Sequence, residues 1–205
     1  MNALTVDRLI LDAHGVCFNN PFKPFLTTMA RMTHQRPDDV QQRWMKQLRA
    51  PAWLGEIDDE DLWRQLTGSL GDTLCWQALL ETHYEPGPVA PYLKRWGSAV
   101  SIWILSNHRA SWLHRRLDRF DMTDRFDRVY VSDEEGFIKP DIRFFERVTG
   151  ELHDPSRALF IDDQQANIES ALEVGMQALR VDHPHLRLEV ENRIGLKQIS
   201  YPMIR

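Results

Sequence analysis

Short apolar runs, each closed at its far end by polar side chains, recur along this chain and leave it few folds to choose from. Arg8–Leu11 stops at Asp12, and the run from Ala99 to Leu105 stops at Ser106. Arg128–Val131, Ala158–Ile161 and a weaker Ala178–Val181 follow. Between the later runs lie stretches with helical spacing. Ser111–Phe120 carries Trp112, Leu113, Leu117 and Phe120 on one face, and Ile142–Thr149 and Ala166–Val174 behave alike. Strand-like runs alternating with helices predict an α/β fold, a parallel sheet with helices on both faces.

The stretch from Phe18 to Tyr84 breaks the alternation. It holds no strand pattern, and its periodic segments are helical: Phe22–Met32, Asp38–Leu48, Asp59–Leu66 and Thr73–Thr82. Pro37 followed by Asp38 and Asp39 is a helix start, with acids in the first turn. Pro86-Gly87-Pro88 then marks the return to alternation. The expected organisation is a core of residues 1–17 and 85–205 with a helical insertion at 18–84.

Composition narrows the partners. The net charge of −5 gives no electrostatic reason for nucleic acid or an anionic membrane. Two cysteines, Cys17 and Cys75, are too few for a disulfide framework and point to a reducing compartment. The first residues lack the basic-then-apolar pattern of a secretion signal. The longest apolar run falls far short of the roughly 20 residues that span a bilayer. A cytoplasmic location is therefore expected, and the sequence is silent on oligomeric state.

In open α/β sheets ligands bind at the carboxyl ends of the strands. Here those ends deliver Asp12-Ala13-His14-Gly15, then Ser106-Asn107-His108, then the stretch from Glu134 to Lys139-Pro140-Asp141, and then Asp162-Asp163-Gln164-Gln165-Ala166-Asn167. Carboxylates, one ammonium, a hydroxyl and an amide suit an oxygen-ligated divalent metal beside a bound anion.

This ordered set, Asp12, Ser106, Lys139 and Asp162-Asp163, resembles the haloacid dehalogenase (HAD) superfamily, and the likeness runs from Leu9 to Val181. Gly55-Glu56-Ile57-Asp58 with Leu62-Trp63, Lys139-Pro140-Asp141, and Phe160-Ile161-Asp162-Asp163 with Asn167 are similar to one branch of it. That branch holds small sugar-phosphate phosphatases and the phosphatase domain of soluble epoxide hydrolase. The resemblance implies a Rossmann-like sheet, a small helical cap inserted after the first strand, and Mg²⁺-dependent hydrolysis of a small phosphorylated metabolite. Asp12 matches the nucleophile that becomes an aspartyl-phosphate, and Ser106, with Asn107 beside it, the phosphate-binding group. Lys139 matches the cation that offsets charge on nucleophile and phosphoryl group. Asp163 matches the Mg²⁺-ligating acid, alongside Asp12 and the backbone carbonyl of His14, with Asp162 and Asn167 in support.

Position 14 departs from the pattern, because the family's phosphatases carry a second Asp there as general acid and base. Three readings stand. His14 is a working acid/base in a phosphatase; or it marks altered chemistry on the same nucleophile, as in dehalogenase and phosphonatase relatives; or it marks a protein that binds a phosphorylated ligand without turnover. The retained Asp162-Asp163 pair favours phosphate chemistry over carbon–halogen cleavage.

Other features have plainer readings. Trp44, Trp53, Trp63 and Trp76 are expected to pack the helical insertion, with Trp53 the exception that faces substrate. Arg109, Arg115, Arg116, Arg119, Arg125 and Arg128 read as a solvated face, Cys17 as a small buried residue, and His183-Pro184-His185 as a surface turn. His108 is expected at most to touch a substrate phosphate.

Overall fold

A computed structural model describes residues 5–68 and 73–196. The ends of the expected core, 1–4 and 197–205, and residues 69–72 of the expected insertion lie outside the described residues. Five strands, β1 (Arg8–Leu11), β2 (Ser101–Ser106), β3 (Arg128–Val131), β4 (Ala158–Asp162) and β5 (Gln177–Arg180), form one sheet in the order β3-β2-β1-β4-β5. Every pairing is parallel. Leu11 lies level with Ile104 of β2 and Ile161 of β4, so Asp12 emerges between those two strands.

Alternation along the central strands divides the core. Leu9, Leu11, Ile102, Ile104, Leu159 and Ile161 pack on one face, and Ile10, Trp103, Leu105 and Phe160 on the other. Burying each such side chain contributes about 1.5–3 kcal/mol. Both faces are covered by helices, as the alternation requires.

Between β1 and β2 run α1 (Phe22–Met32), α2 (Pro37–Arg43), α3 (Arg49–Trp53), α4 (Asp59–Thr67), α5 (Thr73–Thr82) and the short α6 (Leu93–Gly97). Later come α7 (Ala110–Arg119), α8 (Ser132–Glu135), α9 (Ile142–Thr149), α10 (Gln165–Glu173) and α11 (Leu186–Arg193). Local chemistry sets several ends. The Asp58 carboxylate caps α4 by accepting from Asp61 N–H, and left-handed Gly68 closes that helix. Asp141 caps α9 through Arg143 N–H.

Most element bounds fall within one residue of the sequence reading, and two differ by more. Ala99 and Val100 do not start β2, because their N–H groups return to the carbonyl of Trp96 and close α6. The expected helix through Leu48 joins α2 to α3 by a π-helical turn, Trp44–Leu48, in which Arg49 N–H reaches back to Trp44. Pro51 supplies the reason. It has no N–H to give Gln47, and its ring would crowd that carbonyl, so the preceding turn widens.

The chain leaves the sheet and returns to it along one seam. Asn19 N–H donates to Glu85, and Gly87 N–H donates to Cys17 at 2.7 Å. A Cβ at Gly87 would lie 2.3 Å from the Val16 carbonyl oxygen, so only glycine permits the approach. Among the described residues, no helix is long and apolar enough to cross a membrane.

Candidate active site

Three donors converge on one oxygen of Asp12. Ala13 N–H (2.7 Å), the Ser106 hydroxyl (3.1 Å) and Lys139 Nζ (2.9 Å) all reach Oδ1, and none of them engages Oδ2. Lys139 Nζ also meets Asp162 Oδ2 at 2.7 Å, while Asn167 Nδ2 donates to the same oxygen at 2.9 Å. The sheet thus brings Asp12, Ser106, Lys139, Asp162 and Asn167 into one buried network from the ends of neighbouring strands and the loops beyond them.

The electrostatics follow from that burial. Burial pushes the Asp12 carboxyl up to about 7, with Lys139 pulling against it and Asp162 and Asp163 adding to the rise. Burial also works against the Lys139 charge, but Asp12 and Asp162 outweigh it and hold the ammonium above its ordinary pKa.

Asp12, Asp162 and Asp163 each place an oxygen within 4.8 Å of the others. Asp163 Oδ1 is buried without a hydrogen-bond partner, and burial, followed by Asp162, raises that carboxyl's pKa. An orphaned carboxylate oxygen beside two more fits a small hard cation, and these oxygens are the groups that would hold Mg²⁺. Gly15, at φ +81°, makes room for them, since a Cβ there would stand 2.6 Å from Asp163 Oδ2.

His14 lies at the edge of this network with its ring turned into an aromatic nest. Its Nε2 is 2.6 Å from the Tyr84 hydroxyl, and Tyr84, Phe22, Trp53 and His108 surround it with ring centroids 4.6–6.2 Å away. Burial, then the positive charges of Arg116 and Lys139, lowers its pKa well below the ordinary histidine value, so the imidazole is neutral.

Asn107 and His108 are engaged differently from the sequence expectation. The Asn107 side chain donates to the Lys139 carbonyl (2.9 Å) and accepts from Lys139 N–H (2.7 Å), so it fastens the Lys139 loop while still lining the cavity. His108 is fully buried and bonded to Arg116 (2.7 Å), away from the cavity wall. The N–H groups of His108 and Ala110, at the start of α7, are taken by Ser132 and Asp133.

Above Asp12 opens a cavity of about 440 Å³. Asn107, Lys139 and Gln164 join Asp12 on the sheet side, and Phe22, Trp44 and Trp53 on the helical side. Trp53 faces the cavity as expected; Trp44 does so too, stacked on Phe22 at 4.6 Å. Trp63 instead packs face to face on Trp112 in the core.

Sequence reasoning missed Tyr84 and misread Arg116. Arg116 is fully buried: it donates to Glu81 at 2.7 Å and lies 3.2 Å from the Tyr84 ring centre. The signal was present, because Arg116 stands four residues after Trp112 and three after Leu113, on the apolar face of α7. Arg109 is also buried and pairs with Asp59 at 3.0 Å, so neither belongs to a solvated face. Nothing local marked Tyr84.

A model of the haloacid dehalogenase-like hydrolase family matches residues 21–175. A sesquiterpene phosphatase of Aspergillus oryzae is 26% identical over 187 residues, spanning 86% of this chain and 90% of that protein. A HAD-family enzyme of Bacteroides thetaiotaomicron, crystallised with magnesium and inorganic phosphate, superposes with a TM-score of 0.76 at 20% identity, over 89% of this chain and 98% of its own. The L-2-haloacid dehalogenase of Xanthobacter autotrophicus superposes with a TM-score of 0.63 at 22% identity, over 85% and 77%. Both likenesses speak to the fold.

Proposed function

This chain belongs to the haloacid dehalogenase-like hydrolase family, and on that premise we propose that it hydrolyses a small phosphomonoester through an aspartyl-phosphate on Asp12, with Mg²⁺ as cofactor. The observation that carries this reading is the cluster of Asp12, Asp162 and Asp163 with Lys139 Nζ between two of them, beside a cavity large enough for a metabolite. It is supported by a relative that is a phosphatase and by a like-folded enzyme crystallised with magnesium and phosphate. In the same reading residues 18–84 act as the cap and residues 1–17 and 85–205 as the core.

With Oδ1 held by three donors, Oδ2 of Asp12 is the oxygen turned to the phosphorus. Its lone pair forms the new P–O bond while the bond to the alcohol oxygen breaks, and Lys139 offsets the charge carried by both partners. Bound to the carboxylates, magnesium supplies positive charge that shields the phosphoryl oxygens from Asp12. The main-chain N–H of Asn107, and the Ser106 hydroxyl once it turns from Asp12 Oδ1, are assigned to the phosphoryl oxygens.

His14 is the proposed proton carrier. Its neutral ring can take a proton from the water that attacks the aspartyl-phosphate. In the first half-reaction it must be protonated before it can donate, so alcohols that leave without a proton, such as phenols, should react fastest. The paired Asp162 and Asp163 support phosphoryl chemistry over carbon–halogen chemistry.

A second reading rests on the same residue. A neutral His14 already bonded to Tyr84 and packed among aromatic rings supports a protein that binds a phosphorylated ligand without turnover. A screen of phosphomonoesters with and without Mg²⁺ separates the two. Hydrolysis that needs Mg²⁺ and disappears in Asp12→Asn is the expected result. Wild type inert with every ester while His14→Asp is active would replace the first reading with the second.

A further inference from the structure

The cavity above Asp12 has more room than a phosphoryl group requires, and its outer wall carries charge of one sign. Asp12 is the single carboxylate among its lining residues, whereas Lys23 of α1 and Arg49 of α3 both line it on the helical side. Both are exposed, and neither forms an ion pair with a described residue; the Arg49 guanidinium donates a hydrogen bond to Met45 Sδ, at 3.7 Å. Arg64 in the same helical stretch shows the ordinary alternative, sitting between Glu60 and Asp61. Lys23 and Arg49 therefore present positive charge to whatever occupies the outer cavity.

The helical run from α2 to α3 places more than one side chain on that wall. Gln41, Met45 and Arg49, spaced four residues apart, share one side of it across the π turn Trp44–Leu48 and line the cavity with Trp44 beside them.

We propose that Lys23 and Arg49 form a second anion subsite, so that the substrate is a phosphomonoester whose alcohol carries a further negative group, carboxylate or phosphate, at its far end. The alcohol then spans the aromatic wall, with the transferred phosphoryl group at Asp12 and the distal anion at the two cations. Arginine's planar fork suits either anion. For turnover the proposal rests on the phosphomonoester reading above; for binding it does not.

The test compares hexanediol monophosphate with phosphooxyhexanoate, hexanediol bisphosphate and aminohexyl phosphate. In wild type with Mg²⁺, kcat/KM for the carboxylate or the bisphosphate should exceed that for the neutral alcohol by about ten-fold or more, the worth of one charge-assisted hydrogen bond. Whichever of the two leads identifies the distal group. Lys23→Gln/Arg49→Gln should bring that ratio close to one, and Lys23→Glu/Arg49→Glu should shift the preference to the ammonium ester. The same ratios are read by calorimetry as equilibrium binding to Asp12→Asn, which needs no turnover. A preference seen in binding without hydrolysis of any ester would end the phosphatase reading and keep the subsite. Ratios near one in both arms, or a preference that the Gln variant leaves intact, would overturn the proposal.

Discussion

Replacing Lys139 with methionine keeps the apolar stem of the side chain and removes the charge that joins two strand ends. The ammonium lies 2.9 Å from Asp12 Oδ1 and 2.7 Å from Asp162 Oδ2, with side-chain exposures of 1% for Lys139, 6% for Asp12 and 0% for Asp162. Breaking a buried ion pair by removing one partner costs about 3–5 kcal/mol, because the remaining charge is left without compensation. Two carboxylates remain here, so the upper end of that range is expected at pH 7.5 without metal. The variant has one relief: without the ammonium that lowers it, the Asp12 pKa rises above its wild-type value of about 7, so the folded variant takes up a proton at a pH where folded wild type does not. That proton is absent from the unfolded chain near neutrality, so the deficit shrinks as pH falls toward 7, by up to about 1.4 kcal/mol per unit, and changes little below it, where both folded proteins hold the proton. Urea unfolding of both proteins at pH 9, 8 and 7, with unchanged m-values, measures the gap. A deficit below about 1 kcal/mol at pH 7.5, or one that stays constant across this range, would refute the argument that Lys139 neutralises a buried carboxylate pair.

Three further outcomes follow from the geometry. Gly15→Ala should cost roughly 1–2 kcal/mol for its left-handed backbone and displace Asp163, whose Oδ2 would stand 2.6 Å from the new Cβ; calorimetric Mg²⁺ binding should weaken about ten-fold, and wild-type Mg²⁺ binding would contradict the assignment of Asp163. Asn107→Ala removes both side-chain bonds to the Lys139 main chain and should lower stability by about 1–3 kcal/mol in urea unfolding, whereas a neutral effect would mean that the Lys139 loop holds itself. The C2 proton of His108 should show no NMR titration step as pH falls through 6.5, since burial, then the charges near His14 and Arg116, keeps its pKa well below that value; a step near 6.5 would show that the ring is not enclosed as described.

The strands and the residues at their ends were legible because the sheet makes simple demands. A buried parallel strand must be a nearly unbroken apolar run, so Arg8–Leu11 and Arg128–Val131 could be read to the residue. The polar break after each run marks where the strand leaves the core, which is why Asp12, Ser106 and Asp162 stood out. What escaped depends on contacts between segments far apart in the chain. Tyr84 reaches His14 across 70 residues, and Arg116 reaches Glu81 across 35. No period of 2 or 3.6 residues encodes such pairings. The π turn was obscured because a proline inside a helical pattern predicts a disruption but not its form. Asn107 shows a third limit, since an amide beside a phosphate-binding serine reads as a ligand contact until its partner on the Lys139 loop is in view.

The seam joining the helical stretch to the sheet bears on how such a protein can change over time. Phe18 pairs with Pro86, and the Asn19 and Gly87 hydrogen bonds hold the outgoing and returning strands of chain side by side. The stretch therefore enters and leaves the sheet at one doorway, outside the strand order that positions Asp12, Lys139 and Asp162, and docks beside it through Asp59 on Arg109, Trp63 on Trp112 and Glu81 on Arg116. Lys23, Trp44 and Arg49 lie beyond the doorway, whereas the carboxylates and Lys139 lie on the sheet side. Under the proposed function, selection for a different substrate can act on one set of residues while the other stays fixed. Recombination that keeps the Gly87 crossing and the partners of Arg109 and Arg116 would then carry a new cavity wall to the same carboxylates.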